Sequence, residues 1–151
     1  MTITLAAIET AHQKITAMIA AFVAQTPHSV IVQAAEIALH DGEHYAGVII
    51  GKDGGASHHL ILLAGEAEEI NWADAQAWAA TVGGELPTRR EQALLYANLK
   101  EEFKPNWHWS CEQHATASDS AWLQHFISGG QYHGDKSYSG RARAVRRLII
   151  L

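Results

Sequence analysis

The stretch Gly83-Gly84-Glu85-Leu86-Pro87-Thr88-Arg89-Arg90-Glu91 constrains this chain more tightly than any other, because it ends one helix and begins the next. Paired glycines supply the left-handed backbone on which helices stop. Thr88 and Glu91 stand at the capping-box spacing, with a hydroxyl placed for the third helical amide and a carboxylate placed to reach back to the amide of Thr88 itself. Upstream, Trp72, Ala75, Ala79 and Val82 recur at steps of three and four after Asn71, a good N-cap, and this predicts a helix that Gly83 terminates. Downstream, Leu94, Leu95 and Leu99 predict a second helix with one buried face.

The segments around this pair read differently. Short apolar runs at Ser29 to Leu39, Tyr45 to Ile50 and His58 to Leu63 are bounded by Asp41-Gly42 and Lys52-Asp53-Gly54-Gly55, which predicts a β-meander. After Pro105, Trp107 and Trp109 alternate around His108, Trp122 to Ile127 forms another run, Gly129-Gly130 breaks it, and Ala142 to Leu151 closes the chain. Helices grouped between strands give an α+β class rather than the alternating βα order of a nucleotide-binding sheet.

The first segment is a helix of its own. Met1, Leu5, Ile8, His12, Ile15, Ile19 and Phe22 step alternately by four and three, forming one apolar stripe that ends before Pro27. Residues 1–26 therefore read as an N-terminal amphipathic helix, with Leu5, Ile8, His12, Ile15, Ile19 and Phe22 as a candidate oligomerisation seam. Docking of that stripe on its own domain is the equal alternative. Residues 29–151 read as the second domain.

A chain of 151 residues with 48% hydrophobic content supports one ordinary core plus an appendage. Its net charge of −5 disfavours nonspecific attraction to nucleic acid or an anionic membrane. The single cysteine, Cys111, has no intrachain partner and reads as a small semi-buried hydrophobe. No cationic start precedes an apolar run near twenty residues, so neither a signal peptide nor a membrane span is expected. The expected location is the host cytoplasm or a virion.

Four motifs in order carry a resemblance. They are Trp72-Ala73-Asp74-Ala75 with Trp78, then Gly83 to Glu91, then Trp107-His108-Trp109-Ser110, and finally Arg141-Ala142-Arg143-Ala144-Val145-Arg146-Arg147. Together they resemble the Lcl C-terminal-like domain family of bacterial and phage proteins, over roughly residues 42–151. The resemblance implies a C-type-lectin-like domain, two helices with mixed and antiparallel sheets, that holds ligands on the loops and strands of its C-terminal half. The sequence departs from calcium-dependent sugar binders, since the nearest tripeptide to their calcium loop is Lys104-Pro105-Asn106, a cation where the metal needs a carboxylate.

Catalytic and metal patterns are weak. His108, Cys111 and His114 stand three apart, but a strand turns His108 and Cys111 to opposite faces, and the expectation is exposed histidines beside a packed strand with no metal. No His-Glu-x-x-His or Gly-x-Ser-x-Gly spacing occurs, and Cys111 has no evident base. Glu68-Glu69 and Glu101-Glu102 read as solvated pairs. Arg89-Arg90 and the cluster Arg141, Arg143, Arg146 and Arg147 read as partners for the chain's own carboxylates, such as those of Glu85 to Glu91, ahead of a nucleic-acid groove.

Recognition is expected between Trp109 and Tyr138, where aromatic rings with polar tips stand among directional side chains. The candidate binding residues are Glu112, His114, Trp122, His125, Gln131, Tyr132, His133, Lys136 and Tyr138, the last five on a loop from Gln131 to Tyr138. Trp72, Trp78, Trp107 and Trp109 are assigned to the core. The expectation is a non-catalytic binding module of phage or prophage origin, without cofactor, that recognises a host surface molecule or protein. Its alternative is an intracellular phage-encoded inhibitor or regulator of a host defence protein.

Overall fold

The computed structural model describes residues 3–25 and 34–151, which fall in two compact units, Met1–Ile37 and Ala38–Leu151. The first unit is the helix α1 (Leu5–Gln25). Thr4 Oγ1 accepts the Ala7 amide at 3.3 Å and so caps the start. No residue of α1 is buried, and Ile8, Ile15, Ile19 and Phe22 are all exposed.

The second unit runs β1 (His44–Ile49), β2 (His58–Leu62), β3 (Ala67–Ile70), α2 (Trp72–Thr81), α3 (Arg89–Leu99), a 3-10 turn at Lys100–Glu102, then β4 (Trp107–Gln113), β5 (Ser120–His125), β6 (Gln131–Asp135), β7 (Gly140–Ala142) and β8 (Val145–Ile149). Two sheets result, one ordered β1-β2-β8 and the other β3-β7-β4-β5-β6. All pairings are antiparallel except the short parallel step between β4 and β7 at His108 and Arg141. The class is α+β with mixed sheets, as the sequence predicts.

Local chemistry sets the helix boundaries. Asn71 accepts the Asp74 amide, Gly83 stops α2 at φ 81°, and the capping box between Thr88 and Glu91 is complete. The β1–β2 turn places Asp53 and Gly54 at φ 52° and 81°, the paired positive values a tight hairpin needs. Gly84 cannot be replaced without movement, because a Cβ there would lie 2.5 Å from Leu63 Cδ1 and 2.6 Å from the Val145 carbonyl oxygen.

Two apolar clusters form the core. Trp109, Leu63, Leu86 and Leu123 pack with alanines of α2 and β7, and Trp72, Trp78 and Trp107 pack half-buried against them, as assigned. Leu60, Leu62, Leu95 and Val145 pack with Phe103 and Phe126, whose rings stack at 3.8 Å. Leu60, Ile61 and Leu62 are all buried because β2 is the central strand of its sheet and is covered on both faces.

The structure corrects several expectations. The strand expected over Ser29 to Leu39 lies partly outside the described residues, and Ala34 to Leu39 carries no strand, its alanines offering little to a pleated surface. Ala67–Ile70 forms β3 without any alternating pattern, and Glu69 takes φ 48° within it. The segment Gln131 to Tyr138 is not a loop, because Gln131–Asp135 pairs along β5 from Gln124 to Ser120. The buried face of α3 is Glu91, Gln92 and Leu95, with Leu94 and Leu99 only half-buried. His108 is buried rather than exposed, enclosed edge-on by Phe103 and Phe126.

Candidate functional site

Strand β4 carries a bulge where its register to β5 shifts between Trp109 and Gln113. The bulge turns Cys111 and Glu112 toward the start of α3, where the Cys111 amide donates to the Pro87 carbonyl at 2.9 Å and Glu112 Oε2 accepts the Arg89 amide at 2.5 Å. A carboxylate at this helix end satisfies an orphan amide and favours the positive end of the dipole. Two arginines in the same first turn oppose that dipole, and each is held by a contact from outside the helix.

Arg89 lays its guanidinium over the Trp122 ring at 3.5 Å and donates Nε to Gln131 Oε1 at 3.1 Å. Gln131 Nε2 in turn donates to the Arg89 carbonyl and to Gln124 Oε1, each at 2.7 Å. Gln124 donates to the Gln92 carbonyl and Gln92 to the His108 carbonyl, both at 3.0 Å, so a polar relay runs from the core to the surface arginine. Such a relay fixes the side chain before any ligand arrives, which removes part of the entropic cost of binding. Arg89 has no carboxylate partner among the described residues. Arg90 donates to the Ile50 carbonyl at 2.9 Å and is likewise without a carboxylate.

These groups line a groove of about 570 Å³ with Ile49 and Ala93 at its apolar side and Glu91, Arg147 and His58 at its polar end. Glu91 accepts Arg147 at 2.6 and 2.8 Å, His58 Nε2 at 2.7 Å and the Thr88 amide at 2.7 Å. Burial alone would push its carboxyl up, but Arg147, the Thr88 amide and His58 outweigh burial and hold it below the usual range. The same pairing raises Arg147. Thr88 is the one hydroxyl in the groove lining, and it is committed to the Glu91 amide at 3.2 Å.

The candidate residues divide between the two faces of the larger sheet. With Arg89 on one face stand Glu112, Gln131, Trp122, His114 and His133. The His114 and His133 rings are 4.1 Å apart and lie 5.3 and 5.6 Å from Trp122. His114 Nδ1 accepts the Ala117 amide at 3.1 Å, leaving Nε2 to carry the proton of the neutral ring. On the other face stand His125, Tyr132 and Tyr138 with Trp107. Lys136 joins neither group, since its Nζ donates to Gln113 and Ser118, each at 2.6 Å, and stands over Trp72 at 4.5 Å. Arg89, with His58, Thr88, Arg90, Glu91 and Arg147 around it, lines the groove without having been a candidate binding residue, and Trp107, assigned to the core, also lines the hollow on the other face. For Arg89 the signal was available, as two cations at a capped helix start conflict with the dipole.

The C-terminal arginines serve the fold. Arg147 pairs with Glu85 and Glu91, Arg146 with Glu43 at 2.7 Å, and Arg141 with Glu66 and Glu68. Arg146 holds the Glu43 carboxyl down to about 2. Arg143 is buried and donates to the carbonyls of Glu102 and Leu63, over the Phe103 ring. Glu68 is therefore paired, while Glu69 and Glu101 are solvated. Cys111 is half-buried, and burial pushes its thiol up, away from reactivity. Among the described residues no cluster of three or more metal-ligating side chains forms, and no helix is long and apolar enough to cross a membrane.

No family model matches the chain, and a comparison with curated proteins finds no similar one.

Proposed function

We propose that the Ala38–Leu151 unit is a C-type-lectin-like, non-catalytic binding module of phage or prophage origin. Its partner is a host surface molecule or protein. The observation that carries this reading is the Arg89 guanidinium, stacked on Trp122, tied to Gln131 and free of any carboxylate at the mouth of the groove. A fixed fork of this kind is a recognition element for a carboxylate or phosphate group. The two helices and mixed sheets agree with the fold the four motifs imply.

Binding rather than turnover is supported by the commitment of the groove's polar groups to the fold, Thr88 Oγ1 to the Glu91 amide and the Glu91 carboxylate to Arg147, His58 and the Thr88 amide. The apolar stripe of α1 supports a further element of the same proposal, self-association that multiplies a weak site into useful avidity.

The test is a titration of the purified chain on immobilised envelope and cytosolic fractions of host bacteria, at several salt concentrations, beside Arg89→Ala. Saturable, salt-sensitive binding to the envelope, weakened roughly tenfold or more by Arg89→Ala, is the expected result. Binding confined to the cytosolic fraction would replace the surface reading by the inhibitor reading. Equal binding by the variant, or release of cleaved envelope fragments, overturns the proposal.

A further inference from the structure

The five-stranded sheet carries a second hollow, of about 190 Å³, lined by Trp107, Tyr132, Tyr138 and the edge-strand residue His133 over a floor of Leu123 and Gly134. It owes its depth to Gly134, where a Cβ would stand 3.2 Å from Leu123 Cδ1. Trp107 and Tyr132 meet at right angles, with centroids 5.7 Å apart and planes at 87°, so they form a corner rather than a stack. Tyr138 leans edge-on to Trp109 at 6.2 Å and supplies a third ring. Tyr132 and Tyr138 are 67% and 43% exposed, which no packing requirement of the core explains.

The chemistry of the lining selects among ligands. No carboxylate or carboxamide lines the hollow, only the His133 imidazole and two tyrosine hydroxyls, so a sugar would find few acceptors for its hydroxyls, and a primary ammonium would recover little of its hydration. No lysine or arginine lines it either, so no permanent cation repels another there. Aromatic faces present the negative side of a quadrupole, and several rings around one point attract a soft cation that sheds water cheaply. A cavity of about 150 Å³ is enough for a benzene-sized group. The protein's net charge of −5 adds a favourable long-range field.

We propose that this hollow binds a trimethylammonium group, free or as the headgroup of a choline lipid, on Trp107, Tyr132 and Tyr138. The site is separate from the Arg89 groove and does not depend on it.

The test uses the full chain and follows the Trp107 indole and Gly134 amide signals by NMR during titration with choline. The matched probes are 3,3-dimethylbutanol, the neutral isostere, then ethanolamine, glucose, and phosphatidylcholine vesicles. Choline should bind about five- to thirtyfold more tightly than the neutral isostere. Tyr132→Phe should keep this preference, Tyr132→Ala should lose most of it, and Gly134→Ala should weaken binding by filling the floor. Vesicle binding that choline displaces identifies a lipid source, and choline binding without vesicle binding identifies a free ligand, both within the proposal. Equal affinity for the neutral isostere, preference for glucose or ethanolamine, or choline binding unchanged in both Tyr132→Ala and Gly134→Ala overturns it. None of these outcomes alters the result expected for Arg89→Ala.

Discussion

Replacing Glu91 by glutamine removes one charge from a site that is 1% exposed, where four donors converge on a single carboxylate. The amide keeps one acceptor oxygen but turns an NH2 group toward either Arg147 or the Thr88 amide, so a donor faces a donor. Arg147 is half-buried and retains only exposed Glu85 and a long contact of 3.4 Å to the Leu86 carbonyl. Removing one partner of a buried ion pair costs about 3–5 kcal/mol, and the lost capping contact, about 1 kcal/mol, falls inside that range. In urea, with a slope of about 1.5 kcal/mol/M, a 3 kcal/mol loss lowers the midpoint by about 2 M. Tryptophan fluorescence reads the transition directly. The carboxyl is held below its unfolded value, so its stabilisation is present above about pH 4.3 and is lost as pH falls through the lower native value. The gap between wild type and Glu91→Gln should therefore be constant near neutrality and close only in acid. A midpoint shift under about 0.5 M, or a gap that does not shrink in acid, would refute the assignment of Glu91 as the charge that joins α3 to β8.

Two other perturbations read different parts of the molecule. Burial holds His108 down to about 4, so the unfolded chain takes up its proton first as pH drops below about 6.5. Stability contributed by neutral His108 is complete above that pH and is lost toward pH 4; a midpoint-against-pH curve for His108→Asn should be flatter between 6.5 and 4 than that of wild type. Deleting residues 1–25 should lower the mass measured by sedimentation to that of a monomer while the urea midpoint of the remaining unit is unchanged; an unchanged mass removes the oligomerisation seam.

Features encoded within a few residues were legible in the sequence. The capping box, the Asn71 cap, the Gly83 stop and the β1–β2 turn each depend on neighbours, and each is where the spacing puts it. Features that depend on distant partners were not legible. The pairing of the C-terminal arginines with Glu85 and Glu91 was expected, but Gln92 looks like a solvent-facing helix residue until the His108 carbonyl is brought to it. Strand β3 has no apolar alternation, and β6 is polar and glycine-bearing, so only pairing with a neighbour reveals either. The candidate site was found as a segment but not as a surface, because alternation along β5 and β6 sends adjacent residues to opposite faces. Trp122 and Tyr132 consequently stand on opposite faces of the sheet. The arginines were legible in part: Arg141, Arg146 and Arg147 meet the chain's own carboxylates as expected, whereas Arg89, Arg90 and Arg143, expected to do the same, donate to a carboxamide or to backbone carbonyls instead.

The position of β8 sets a condition on how the chain is made. This strand follows β1 to β7 in the chain, yet it zips along β2 from His58 opposite Ile149 to Leu62 opposite Val145, and it carries the arginine that Glu91 needs. A nascent chain that has reached Ala144 on the ribosome holds Leu60, Ile61 and Leu62 against an open edge, with a buried carboxylate still lacking its cation. Such an edge is adhesive to any other unfinished strand. Closure must await synthesis of Val145 to Ile149, and a chain cut anywhere between β7 and Val145 should yield aggregate rather than a shortened domain.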